Sequence, residues 1–149
     1  RLSCSAAGQA WLMTLPEDLA IAYVTRQGLG EPRHYGPNAP TSIKALLKIL
    51  QEHRKRGYSV IQDAYAAGMN SMAAPVCKDG EHTTGVIVIA GPSARLTAKR
   101  MQQFGPNLLQ SAQELALSGN ASPLLRSANL GTWGNVAEKP TRGTLRNLR

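Results

Sequence analysis

Met69-Asn-Ser-Met-Ala-Ala-Pro-Val-Cys-Lys-Asp-Gly-Glu-His-Thr-Thr-Gly-Val-Ile-Val-Ile-Ala90 is the stretch whose reading decides the fold. Met69 to Cys77 and Thr83 to Ala90 are apolar runs of strand length. The polar turn Lys78-Asp-Gly-Glu-His82 separates them, and Asp79-Gly80 is a hairpin signal because both residues tolerate the positive φ of tight primed turns. Val86, Ile87, Val88 and Ile89 follow one another without polar alternation. Both faces of that strand are therefore expected to be covered, which places it near the middle of a sheet. Tyr58 to Gln62 supplies another short strand.

Helices surround this sheet on both sides in sequence. Upstream, Ser5 is positioned to cap a short helix whose apolar residues Ala6, Ala7, Ala10, Leu12 and Met13 face several ways, so it is expected to be buried. Leu15-Pro16-Glu17-Asp18 opens a second helix, with acids in the first turn where the dipole favours them, and Gly28-Leu-Gly30 stops it at about Gln27. Glu31 to Pro40, with three prolines, reads as a loop. Thr41 or Ser42 caps a third helix with an apolar stripe of Ile43, Leu46, Leu47, Ile49 and Leu50, and Gly57 ends it. Downstream, Gly91-Pro92 leaves the last strand and Thr97 caps a long helix through Met101, Phe104, Leu108, Ala112, Leu115 and Ala116, expected to bend at Gly105-Pro106. Residues 122–149, rich in Gly, Asn, Pro, Thr and Arg, read as a basic, flexible tail after a domain spanning residues 1–121. The fold class is α/β in the α+β sense.

At 149 residues, 42% hydrophobic and 17% charged, the chain is long and apolar enough to bury one core without staples. No run approaches the roughly 20 apolar residues of a membrane-spanning helix, so a soluble chain with no membrane partner is expected. Cys4 and Cys77 lie far apart and have no zinc-ligand spacing, which predicts reduced thiols, no metal and a cytoplasmic setting. The net charge of +8 invites an anionic partner, but its location matters more than its size. Lys44, Lys48, His53, Arg54, Lys55 and Arg56 cluster at one helix end, and Arg126, Lys139, Arg142, Arg146 and Arg149 lie in the tail. Cations in a helix's last turn are favoured by its dipole, and neither cluster has groove-reading or base-stacking context. Specific DNA recognition by this segment alone is not expected.

No catalytic constellation emerges. The chain lacks a nucleophile elbow and a phosphate loop, and Gly28 and Gly30 follow a helix in place of a strand. His34, His53 and His82 fall in a loop, a basic helix end and a turn, where solvated imidazoles are expected. Asp63 reads as a turn or cap residue, and Cys77 as a structural thiol. A binding domain without catalytic residues or cofactor is favoured over an enzyme.

Five pieces in order, Ser5-Ala-Ala-Gly8-Gln-Ala10, Leu15-Pro16-Glu17, Arg56-Gly57-Tyr58-Ser59, Gly68 to Val76, and Gly91-Pro92 followed by Arg95-Leu96-Thr97, resemble the effector-binding domain of the IclR family of bacterial transcription regulators. The resemblance runs from Arg1 to about Leu117. It implies a GAF-like twisted antiparallel sheet flanked by helices, with a pocket for a small metabolite, often an organic acid. It also implies a homodimer or homotetramer that represses or activates by binding promoter DNA through an N-terminal winged helix-turn-helix, which is not in this chain. The family's first strands precede the Ser5 helix, so the domain is expected to be incomplete at its N-terminus, a fragment or proteolysed product.

At the pocket positions that the resemblance picks out, this chain departs from the family's polar pattern. It carries Ile61, Val88 and Ala90 where acids or serines are usual, Ala64 where glutamate is usual, and Cys77-Lys78 where an aromatic or histidine precedes Asp or Asn. Ser71 keeps its hydroxyl, and the backbone amides of Ala7 and Gly8 stand at a helix N-terminus suited to anions. The expected ligand set is Ala7, Gly8, Ile61, Ser71, Val88 and Ala90, and the expected effector is an apolar or aromatic acid. A stand-alone GAF-like binding module or enzyme, or non-specific nucleic-acid binding by the basic tail, are the alternatives.

Overall fold

A computed structural model of the chain describes residues 1–78 and 82–118. The Asp79-Gly80 turn and the basic tail lie outside the described residues. In chain order come α1 (Ala6–Leu12), α2 (Glu17–Gln27), a single 3-10 turn (Pro32–His34), α3 (Ile43–Arg56), β1 (Ser59–Gln62), β2 (Met69–Val76), β3 (Gly85–Pro92) and α4 (Ala98–Ser118). The three strands form an antiparallel sheet in the order β1-β2-β3.

The helix ends sit where their capping chemistry puts them. Ser5 Oγ accepts the Gly8 N–H at the start of α1, and Ser42 Oγ accepts the Ala45 N–H at the start of α3. Gly57 closes α3 at φ 82°, a left-handed conformation that a side chain would resist. Arg54, at the basic end of α3, crosses to α1 and donates to Met13 O at 2.8 Å and Leu15 O at 3.1 Å. One member of the basic cluster is thus a structural tie between helices. α4 runs continuously through Pro106.

Each face of the sheet carries its own core. Successive side chains point to opposite faces, so Met72, Ala74 and Val76 of β2 bury against Met101, Leu108, Ala112 and Ala116 of α4. On the other face, Ile61 and Ala73 bury against Ala6 and Ala10 of α1. A third cluster, outside the sheet, joins Leu12 and Met13 to Ala20, Val24, Leu46 and Leu50. β2 is the central strand although it contains Pro75. β1 pairs only with residues 70–73 of β2, so the missing Pro75 N–H falls on the side where β1 has already ended.

Two expectations need correction. β3 is an edge strand among the described residues, not a middle one, and Val88 is 46% exposed. Its apolar run has the composition of a covered strand, but the described residues place no further strand beside it. His53 is buried, not solvated. It stands in the last turn of α3, and β1 packs directly against that turn.

Candidate functional site

The register across the sheet brings the predicted positions together. Ile61 of β1 pairs with Ser71 of β2, and Ser71 pairs with Ala90 of β3, so the three form one row across adjacent strands. The neighbouring row on the same face is Ser59, Ala73 and Val88. Ile61, Ser71, Val88 and Ala90 therefore share the face that α1 covers. Ala73, in the middle of the second row and fully buried, belongs with them. The sequence reading missed it, although the two-residue period from Ser71 points to it.

α1 covers this face unevenly. Ile61 and Ala73 are buried beneath it, whereas Val88 and Ala90 on the edge strand are exposed. Ser71 lies at the boundary, 8% exposed, and its hydroxyl has no hydrogen-bond partner among the described residues. Among the described residues the buried side-chain polar atoms without a partner are Gln9 Oε1 and His53 Nδ1, so Ser71 Oγ, which has no protein partner, keeps access to solvent at the edge of α1. The other hydroxyl on this face, Ser59 Oγ, is engaged: it donates to Ala6 O at 2.8 Å and anchors α1 to the sheet. Of the polar groups on these two rows, Ser71 Oγ is the one left to receive a ligand.

The amides at the start of α1 fit the anion-anchoring role less well. The Gly8 N–H already donates to Ser5 Oγ at 3.1 Å. Gly8 also lies against the backbone of Leu2, where a Cβ would sit 2.4 Å from Leu2 Cα. This close approach explains the glycine without a ligand. Ala7 is half-buried in the same turn.

Behind this face, His53 ties α3 to the strand that carries Ile61. Its Nε2 accepts the Val60 N–H at 3.2 Å, while Nδ1 is buried without a partner. Burial, followed by the nearby Arg56 charge, pushes the imidazole down to about 4. An imidazole that accepts at Nε2 and is neutral carries its proton on Nδ1. Burial also pushes the Cys4 thiol up, away from reactive thiolate character. No group of three or more potential metal ligands occurs among the described residues, and no described helix is long and apolar enough to cross a membrane.

Comparison with known proteins identifies this arrangement. Residues 1–117 match the family model described as "Bacterial transcriptional regulator IclR C-terminal". The HTH-type transcriptional repressor AllR of Salmonella paratyphi A is 30% identical over 122 residues, covering 82% of this chain and 44% of that protein. The transcriptional repressor IclR of Escherichia coli K12 is 31% identical over 117 residues, covering 78% of this chain and 42% of that protein. The chain thus spans less than half the length of these curated relatives, which are repressors and not enzymes.

Among solved structures, the C-terminal domain of the E. coli regulator KdgR superposes with a TM-score of 0.68 at 22% identity, covering 78% of this chain and 69% of that one. The inducer-binding domain of a PobR double mutant from Acinetobacter, in complex with 3-hydroxybenzoic acid, superposes with a TM-score of 0.67 at 20% identity, covering 77% of this chain and 65% of that one. These two likenesses establish a shared fold. The capped helix over an antiparallel sheet, the long C-terminal helix and the match over residues 1–117 place this chain in the IclR family, as the C-terminal domain of that family's regulators.

Proposed function

We propose that this chain is the sensory part of a bacterial transcription regulator, and that the effector is a small acid with an apolar or aromatic body, bound on the face beneath α1. The observation that carries the proposal is Ser71, whose solvent-reaching hydroxyl has no protein partner and stands between Ile61 and Ala90 in one row of the sheet. A ligand oxygen at Ser71 Oγ would bond the hydroxyl, while the exposed Val88 and Ala90 beside it offer carbon to a ring or alkyl group. The chain places no acid and no second free hydroxyl on these rows. A two-carbon oxoacid, which needs most of its surface hydrogen-bonded, therefore fits less well than a benzoate-like acid. The 3-hydroxybenzoic acid held by the PobR domain supports the same ligand class at the level of a shared fold. DNA contact is assigned to a winged helix-turn-helix elsewhere in the regulator, and the setting to the bacterial cytoplasm.

Calorimetry tests the site. Benzoate-like acids are expected to bind more tightly than glyoxylate or pyruvate, and Ser71→Ala is expected to weaken the preferred acid by about fivefold, the worth of one ordinary hydrogen bond. Tighter binding of glyoxylate, or unchanged affinity in the Ser71→Ala variant, would remove this face as the effector site.

The regulator reading carries a second expectation, assembly as a homodimer or homotetramer. Sedimentation velocity on the chain is expected to show a species heavier than a monomer at high micromolar concentration. A compact monomer across that range would count against self-assembly by this domain.

A further inference from the structure

The two buried side-chain atoms without a partner among the described residues, Gln9 Oε1 and His53 Nδ1, are chemically complementary. Gln9 is fully buried and His53 is 3% exposed. An amide oxygen can only accept a hydrogen bond. His53 accepts the Val60 N–H at Nε2, so its neutral ring carries the proton at Nδ1 and can only donate there. Both residues stand at one junction of the fold. α1 touches α3, and both helices pack on β1. On α1, Leu12 packs into the cluster that holds Leu46 and Leu50 of α3, whereas Ala6 and Ala10 pack onto the sheet. At about 100° per residue, Gln9 falls midway between those two directions. On α3, His53 continues the buried stripe of Leu46 and Leu50 and reaches β1 through the Val60 bond.

Neither side chain can turn to meet the other without losing the bond it already makes. Gln9 Nε2 donates to Ser3 O at 2.6 Å, and turning the amide over would set Oε1 against that carbonyl. Turning the imidazole would strip the Val60 N–H of its acceptor. We infer that a single buried water bridges His53 Nδ1 and Gln9 Oε1, accepting from the imidazole N–H and donating to the amide oxygen, and so joins α1 to α3 and β1. The bridging group must accept on one side, donate on the other, and be neutral beside the leucines and alanines of the two clusters. Water is the smallest group that does all three, and two such bonds suffice to hold it in an interior. Left apart, the donor and the acceptor would each pay for burial without a partner, and one water pairs both.

Magnetic resonance on the whole chain, nitrogen-15-labelled and otherwise unaltered, tests the site. His34 and His82 are exposed, so their ring protons exchange quickly, and a persistent imidazole N–H belongs to His53. That proton is expected on Nδ1 and should disappear in the His53→Gln variant. It and the Gln9 side-chain amide protons should show nuclear and rotating-frame Overhauser peaks of opposite sign at the water frequency, which marks a bound water and not proton exchange. In Gln9→Met the water peak at His53 should be lost and the ring proton should move upfield. Urea unfolding of Gln9→Met, His53→Leu and the double variant should show coupling, the double variant being about fivefold more stable than the two single losses multiplied together predict. A proton on Nε2, no water peak at the His53 ring proton, or a water peak unchanged in Gln9→Met would overturn the assignment. The first two readings come from the parent chain alone and decide the matter even where a variant does not fold.

Discussion

Gly36→Ala is expected to cost this domain about 3 kcal/mol, a large fraction of the stability of a small domain. A Cβ at Gly36 would lie 1.9 Å from Asp63 O and 2.6 Å from Asp63 C, both backbone atoms that no side-chain rotation can move aside. The same contact carries the hydrogen bonds that seat the 36–38 loop on the turn after β1. Gly36 N–H donates to Ala64 O, Asn38 N–H to Asp63 O, and Asn38 Nδ2 to Gln62 O at 3.0 Å. The receiving turn is itself constrained, with Asp63 at φ 50° and its carboxylate accepting the Gly68 N–H at 2.7 Å. Alanine must therefore lift the loop, losing several bonds worth about 1 kcal/mol each, or distort the turn that joins the two strands carrying Ile61 and Ser71. Urea denaturation followed by circular dichroism measures the loss. Gly85→Ala is the matching control, because a Cβ there meets nothing within 4 Å, and a change of about 0.5 kcal/mol or less is expected. Equal midpoints for the two variants would rule out the close approach at Gly36.

Much of this architecture is readable from local chemistry. Ser5, Ser42 and Gly57 mark helix ends because capping is decided within a few residues of chain. The apolar period of the Ile43–Arg56 segment places Leu46 and Leu50 in the core without any tertiary information. What local chemistry cannot supply is which strand stands at an edge. Val86 to Ile89 has the composition of a doubly covered strand, yet coverage depends on elements far away in sequence, and the described residues provide none on the outer side of β3.

The candidate site shows the same division. The shared face of Ile61, Ser71, Val88 and Ala90 follows from the register, in which Ile61 opposes Ser71 and Ser71 opposes Ala90, and which strands without polar alternation do not themselves specify. The burial gradient along that face does not follow from it. Val88 is nearly half exposed, so a charge placed there keeps its water and costs far less than in a closed cavity. Gly8 looked like an anion anchor from its place in a helix's first turn. Only the tertiary structure shows its amide engaged by Ser5 and its α-carbon packed on Leu2.

His53 gives the second large effect. In sequence it belongs to a basic helix end, and only packing against β1 turns it into a buried neutral group that accepts the Val60 N–H. Its pKa in the folded chain is about 4, against an ordinary value of about 6.5 in an unfolded one. The unfolded chain therefore takes up the proton first as pH falls. Stability is constant above about pH 6.5, declines as pH drops toward 4, and loses nothing further from this residue below that. Over that interval, at about 1.4 kcal/mol per pH unit, the loss approaches 3 kcal/mol. Arg56 reinforces the neutral state, while the Val60 bond and Glu52 oppose it, and burial outweighs both. Protonation at Nε2 would also turn the acceptor of the Val60 N–H into a donor, so acid should loosen α3 from β1 and the row that contains Ser71. Urea midpoints at pH 7, 6, 5 and 4.5 are expected to fall steadily for the parent chain. His53→Gln keeps an acceptor for Val60 without a titrating group, so its midpoints should change little across the same range. Parallel decline of the two proteins would place the acid-sensitive group elsewhere.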